Sequence, residues 1–185
     1  MRDFFMKTIR LGFSIWSGND ILEASELWGD PEVTKLIITD GKMSKKQIQQ
    51  RLKKEIETYN NFNVQYWPIY FFETNQNIGC CGLRPYNLEN NIFEMGIHLK
   101  KKYWGKGLAQ EACSAVIEYA FNTLGASALF SGHNPKNLAS AQLLKKLEFT
   151  YLQDEFYPPT GLQHPSYLMT MQSYRTSKNM RGDSV

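Results

Sequence analysis

Phe93-Glu94-Met95-Gly96-Ile97-His98-Leu99 alternates apolar and polar residues as a half-buried strand does, and Trp104-Gly105-Lys106-Gly107-Leu108-Ala109-Gln110-Glu111 follows it closely. From Leu108 the period changes. Leu108, Ala112, Val116, Ala120 and Leu124 recur at every fourth position, Cys113, Ile117 and Phe121 widen the stripe, and Gly125 stops it. The reading is a strand, a loop with two near-adjacent glycines, and a helix. Such glycines free several backbone N–H groups, and the positive end of the helix dipole aims them at an anion. A phosphate-bearing cofactor is the expected occupant.

Two common glycine loops do not fit. A Walker loop needs Ser or Thr after its lysine, and Lys106 is followed by Gly107. The dinucleotide fingerprint needs a third glycine where Gln110 stands, and an acid at the end of the next strand, where Phe130 and Ser131 stand. The loop resembles instead the pyrophosphate loop R/Q-x-x-G-x-G/A of the GCN5-related N-acetyltransferase (GNAT) superfamily, with Trp104 first, Gly107 as its glycine and Ala109 last. The tryptophan-led form W-G-K-G-x-A-x-E-A is similar to the ribosomal-protein alanine and serine N-terminal acetyltransferases. The likeness runs from about Thr8 to Met171: Thr8-Ile9-Arg10-Leu11, Trp28-Gly29-Asp30-Pro31-Glu32-Val33, and Asn137-Leu138-Ala139-Ser140 with Leu144-Lys145-Lys146-Leu147-Glu148-Phe149 all have counterparts.

This resemblance implies an α/β (α+β) fold, a GNAT-like twisted mixed β-sheet of about seven strands flanked by about four helices. It places acetyl-coenzyme A where two central parallel strands, those of Glu94 and Leu129, splay apart. Backbone amides from Gly105 through Lys106, Gly107 and Leu108 to Ala109, together with Trp104, are expected to hold the pyrophosphate, and amides near Leu99 the acetyl carbonyl. Asn137 is expected to bond the pantetheine arm and Ser140 to face the thiol sulfur. Two positions depart from the pattern. Glu148 replaces the glycine before Phe149, so the turn is expected to manage without an easy positive φ. Leu144 stands where many members carry a tyrosine acid.

The flanking segments supply the other elements. A strand is expected over Ile9–Trp16, and Asn19 is read as the cap of a short helix with Ile21, Leu22 and Leu27. Asp30-Pro31 starts a second helix, and Ser44 with Gln47 forms a capping box for Lys45–Tyr59. Strands follow at Trp67–Glu73 and Ile78–Arg84, with a turn at Thr74–Asn77, and Pro68 suggests that the first begins late or is exposed on one side. Beyond Gly125 come the strand Ala128–Ser131, the helix Leu138–Leu147 and closing strands at Phe149–Phe156 and Ser166–Met171. Strands before, between and after helices exclude a simple bundle.

Composition sets the class. With 185 residues, 42% of them hydrophobic, residues 1–175 are expected as one acetyltransferase domain and the polar stretch 176–185 as a flexible tail. A net charge of +3 is too mild to make nucleic acid the main partner. Three cysteines, Cys80 and Cys81 adjacent, make neither a disulfide framework nor a metal spacing, so no metal is expected. No run is long and apolar enough for a signal peptide or a membrane span, and the expectation is a cytoplasmic protein without a membrane partner. Oligomeric state is not readable.

Acetyl transfer from a thioester to an amine needs a neutral amine, a held carbonyl and an exit for the thiolate. An α-amino group of pKa about 7.8 is neutral far more often at pH 7 than a lysine amine of about 10.4, so a carboxylate acting through water can serve as base. By the resemblance, which has a glutamate at this point of the strand, Glu94 is the candidate base, and Ser140 is the candidate acid. Against these stand plainer roles: Glu94 as a surface residue of its strand, Asn137 as the cap of its helix, and Ser140 in the first turn. Tyr103, Tyr151 and Tyr157 are further donors. Lys100, Lys101, Lys102, Lys106 and Lys136 are read as a general attraction for coenzyme A, His98 and His133 as structural or groove residues, and Cys113 as core. The acceptor is left as a protein N-terminus or an amine-bearing small molecule. A non-catalytic acyl-coenzyme A sensor is the competing class.

Overall fold

In the computed structural model, which describes residues 2–182, one eight-stranded sheet carries the chain. Its strands are β1 (Met6–Lys7), β2 (Leu11–Phe13), β3 (Tyr66–Phe71), β4 (Gln76–Asn87), β5 (Ile92–Leu99), β6 (Ala128–Gly132), β7 (Thr150–Tyr157) and β8 (Leu162–Thr170). Their spatial order is β1-β2-β3-β4-β5-β6-β8-β7. The sheet is antiparallel except between β5 and β6, which run parallel. The α-helices are α1 (Ile21–Trp28), α2 (Pro31–Thr34), α3 (Lys45–Phe62), α4 (Leu108–Glu118), α5 (Leu138–Lys146) and α6 (Met171–Arg181). The mixed α+β architecture is as expected, with eight strands in place of seven and six α-helices in place of four among the described residues.

Local chemistry explains most of the boundaries. Ser44 and Gln47 make the reciprocal capping box at the start of α3, and Asp30 accepts from the Glu32 N–H ahead of Pro31. Asn19 is not a cap. Ser17 and Asp20 form a capping box around a 3-10 turn at Gly18–Asp20, and α1 continues from it. Leu22 is exposed, while Ile21 and Leu27 face inward. Pro68 lies inside β3, opposite Cys80 on β4; β2 pairs only as far as Ile69, and the Pro68 carbonyl accepts from the Ser14 N–H. The strand therefore does not begin late.

Two apolar layers sandwich the sheet. Trp16, Leu27, Trp28, Ile48 and Leu52 from the first three helices and their approach pack on Tyr66 and Cys80. On the other side Leu108, Ala112, Val116 and Ala120 pack on Ile69, Leu83 and Met95. Beyond α4 the chain loosens into a π-helical turn at Tyr119–Thr123 before Gly125, in a left-handed conformation, ends it. Helix α6 docks there, with Tyr174 stacked on Phe121 at 4.7 Å. The expected tail is thus helical from residue 176 to Arg181, capped by Thr170, and its last residues, 183–185, lie outside the described residues.

Glu148 takes a left-handed φ of 64°, so the turn keeps the positive angle that glycine would supply. The Ser177 hydroxyl from α6 donates to its carboxylate. The expectation of a turn without positive φ is corrected.

Candidate active site

Strands β5 and β6 pair only at Ile92–Ala128, Phe93–Leu129 and Glu94–Phe130. Past that point β5 stays with β4 as far as Leu99, while β6 stays with β8 as far as Gly132, and the two separate. The Ser131 hydroxyl bridges the opening to the Met95 carbonyl at 3.0 Å. Because the Lys100 N–H donates to Ile78, the alternation along β5 turns the Leu99 N–H the other way, into the gap. The Leu99 carbonyl, on that same side, accepts from the Trp104 indole at 2.8 Å.

A chamber of about 390 Å³ opens on one side of this gap, lined by Leu99, Trp104, the loop from Gly105 to Gln110, Asn137 and Ser140. Gly105 and Gly107 have φ of 72° and 74°, a region that costs other residues roughly 1–2 kcal/mol. A Cβ on Gly105 would meet nothing within 4 Å, so the glycine answers to conformation and the space before it is open. Gly107 begins α4 without a side-chain cap, and the first intrahelical bond is Glu111 N–H to the Gly107 carbonyl. The N–H groups of Leu108, Ala109 and Gln110 therefore have no intrahelical acceptor. This row of unmatched donors fits a diphosphate.

Sequence reasoning missed what holds the loop from behind. The Arg10 guanidinium donates to Glu111 at 2.6 Å and to the Lys106 carbonyl at 3.1 Å. The Thr8 hydroxyl and the Arg10 N–H also reach Glu111, at 2.5 and 2.9 Å. The lysines divide. Lys100 is buried and paired to Glu26 at 2.7 Å, Lys101 is exposed and paired to Glu32 at 2.9 Å, and neither lines the chamber. Lys106 lines the chamber, as does Lys146, which the sequence reading passed over.

A second chamber, about 260 Å³, lies on the other side of the gap. The two share Leu36, Ile37, Ile97, His98, Asn137, Ser140 and Leu143 on their walls, so a group held in one faces a group held in the other. Glu94 lines the second chamber, half-buried, and accepts from the Tyr66 phenol at 3.1 Å. Gly96 makes this possible, since any Cβ there would strike the Tyr66 ring and hydroxyl. Burial first, then the Glu94 charge, drives the Tyr66 pKa well above the ordinary phenol value, so it stays a donor. Glu94 is not a solvated surface residue.

Asn137 both caps α5 and lines the two chambers. Its side-chain oxygen accepts from the Ser140 N–H at 3.1 Å, which leaves its NH2 group for a ligand. The Ser140 hydroxyl makes no hydrogen bond among the described residues. Leu144, at the tyrosine position of the pattern, is buried at 3% exposure and supplies no acid. Tyr157 lines the second chamber, whereas Tyr103 is buried by the loop and Tyr151 is exposed on β7. His98 accepts from the Trp28 indole at 3.2 Å through Nδ1, which places its proton on Nε2. Burial first, then Arg51 and Arg84, hold its pKa well below the ordinary imidazole value. His133 lines the same chamber, and Cys113 is buried with its sulfur 3.8 Å from that of Cys81. Among the described residues no cluster of His, Cys, Asp and Glu is able to hold a metal ion, and no helix is long and apolar enough to cross a membrane.

Residues 10–150 match the acetyltransferase (GNAT) domain family. The chain belongs to that family. This acetyltransferase is 34% identical over 128 residues to the uncharacterized N-acetyltransferase p20 of Bacillus licheniformis, covering 67% of this chain and 70% of that one. Its fold superposes on a GNAT-family acetyltransferase from Bacillus anthracis with a TM-score of 0.77, at 20% identity, over 91% of this chain and 99% of the other. It also superposes on the ribosomal-protein-S5-alanine acetyltransferase of Vibrio fischeri, with a TM-score of 0.76, 16% identity, and coverage of 93% and 99%. These structural likenesses speak to the fold alone. The family match and the 34% identical relative make the chain an acetyl-coenzyme A-dependent GNAT N-acetyltransferase.

Proposed function

We propose that this acetyltransferase acetylates the primary amine of a small molecule, by direct attack of the amine on the thioester across the β5–β6 gap. One observation carries the choice of a small amine over a protein N-terminus. The segment after α2 crosses to the β7–β8 turn, where both the N–H and the hydroxyl of Thr39 donate to the Pro159 carbonyl at 2.8 Å. Leu36 and Ile37 on this strap line both chambers, and Phe156 and Tyr157 beside its anchor line the second. A strap tied across that chamber suits a small acceptor better than a polypeptide. The most specific part of the resemblance to the ribosomal N-terminal enzymes is the Trp104–Glu111 loop, which concerns the donor rather than the acceptor.

In this reading the amides of Gly105, Lys106, Gly107, Leu108 and Ala109, beside Trp104, hold the diphosphate of coenzyme A, and the Asn137 NH2 group bonds the pantetheine arm. The Leu99 N–H polarises the acetyl carbonyl, where negative charge develops. Glu94, held in place by Tyr66, takes the amine proton directly or through one water as the nitrogen–carbon bond forms. The carbon–sulfur bond then breaks, and the Ser140 hydroxyl donates to the departing thiolate.

Thiol release from acetyl-coenzyme A, measured against a panel of small amines and N-terminal peptides, tests this directly. Turnover with small amines and none with peptides is the expected result. Peptide turnover alone overturns the small-amine reading, and cofactor binding without any turnover favours the sensor.

A further inference from the structure

The second chamber contains a charge arrangement that amine chemistry by itself does not need. Glu55 on α3 is completely buried, and three donors converge on it: Arg51 Nε at 2.8 Å, the Arg84 guanidinium, and the Tyr66 N–H at 2.9 Å. Burial pushes its pKa up, but Arg51, Arg84 and the Tyr66 N–H outweigh that and hold it below the usual carboxylate range. Each arginine meets Glu55 through one nitrogen, so one carboxylate answers two guanidiniums. Arg84 lies flat on Tyr66, 4.2 Å from the ring centre, and Arg51 lies 5.6 Å from the same ring and 5.1 Å from that of Trp28. Aromatic faces and the shared carboxylate lock both side chains in place. Both line the chamber.

Neither guanidinium is satisfied by its neighbours. Arg51 Nη2 and Arg84 Nε are buried and have no hydrogen-bond partner among the described residues. A buried charged donor left unmatched costs more than the 1–3 kcal/mol of a neutral one, so native proteins rarely keep such atoms without a use for them. Glu94 sits opposite Arg84 across the β4–β5 pair, and it accepts from Tyr66 rather than from either arginine. The chamber thus presents Glu94 as a proton acceptor and two guanidiniums on the same walls, with the Glu155 carboxylate also on its lining.

We propose that the acceptor is a small primary amine that itself carries a carboxylate or phosphate group, seated on the guanidiniums of Arg51 and Arg84 with its amine toward Glu94. The inference rests on the small-amine reading above. Planar guanidinium forks match both anions in a way a lysine does not. An α-amino acid is the simplest acceptor that carries both groups. A polyamine, with no anion to seat, gains nothing from the two guanidiniums.

The test is a matched panel followed by thiol release: α-amino acids, their carboxamides, an aminoalkyl phosphate and a polyamine. A tenfold or greater preference in kcat/KM for the acids over their carboxamides, or for the phosphate, is expected, and it separates the two anions. Arg84→Met and Arg51→Met are expected to collapse the acid-to-amide ratio toward one, through a KM for the acids raised about 10- to 100-fold, the worth of one charge-assisted hydrogen bond. Arg84→Lys, which keeps the charge and the fold, is expected to restore part of the ratio. Carboxamides or the polyamine used as well as the acids by the unaltered protein overturn the proposal, and so does an equal loss on acids and amides in the variants. If no amine is acetylated, the small-amine reading has failed, and the inference falls with it; amide turnover without acid preference is failure of the inference alone.

Discussion

Arg10 and Glu111 meet at 2.6 Å although 101 residues separate them, and the guanidinium also donates to the carbonyl of Lys106 between the two loop glycines. Burial raises the Glu111 pKa, but the hydrogen bonds from Thr8 and Arg10 overcome it and leave the carboxyl below its ordinary value. An edge segment of the sheet thereby braces the loop on the side away from the chamber. Arg10→Ala is expected to weaken acetyl-coenzyme A binding about tenfold by loosening loop amides that must be pre-ordered to bind. Calorimetry on the variant checks this, and an unaltered Kd removes the brace from the account.

Gly107→Ala places a Cβ on a residue with φ of 74°, at a cost of roughly 1–2 kcal/mol. The expected outcome is a Kd for coenzyme A raised about tenfold or more, with thermal stability changed far less if the loop relaxes to a negative φ. A variant that binds as tightly as the parent contradicts the anion cradle.

Glu94→Gln keeps the size of the side chain and its bond with Tyr66 but cannot take a proton. A drop of about 10²- to 10⁴-fold in kcat is expected, with coenzyme A affinity retained. Ser140→Ala is expected to cost less, because a thiolate is a tolerable leaving group without help. Stopped-flow thiol release at saturating amine distinguishes the two, and equal rates for Glu94→Gln and the parent retire Glu94 as base.

Acid is expected to destabilise the fold in two stages. His98 has a folded pKa well below 6.5, so its stabilising contribution is complete above 6.5 and is lost as pH falls from there toward the folded value. Glu55 has a folded pKa below 4.5, so its contribution is intact above 4.5 and is lost as pH falls through the folded value. Melting temperature measured from pH 8 to 3 should decline in both windows, and His98→Gln should flatten the upper one. A flat curve from pH 7 to 5 in the parent rules this out.

Glu148→Gly should stabilise the protein. The left-handed residue at φ of 64° gains up to about 1 kcal/mol, and the lost contact with Ser177 offsets part of it. The expected rise in Tm is about 2–4 °C. A fall in Tm shows that the tie to α6 outweighs the strain.

Legibility followed distance along the chain. The Ser44–Gln47 box and the Asp30-Pro31 start were readable because cap and capped amide lie within a few residues. The Asn19 reading failed because Ser17, two residues earlier, competes for the same turn and has Asp20 as its reciprocal partner. Glu94 was legible as a candidate, but its partner Tyr66 was not. That contact needs β3 two strands away and a bare Gly96 beneath the ring. Residues 176–181 are polar in sequence, and the contacts that bring α6 onto the domain, Tyr174 against Phe121 and Ser177 against Glu148, are equally distant along the chain.

The sequence by itself determined the left-handed glycine loop, the uncapped start of α4 and the strand that precedes it, because φ preference, periodicity and caps act between near neighbours. Only the tertiary structure decided the second chamber. Its walls draw on α3, α5 and the strands from β3 to β8, and the pairing of Glu55 with Arg84, like that of Thr39 with Pro159, exists only once distant segments are folded side by side. Charges and hydrogen bonds fall off within a few ångströms, so no local pattern announces a partner that the fold has yet to bring near.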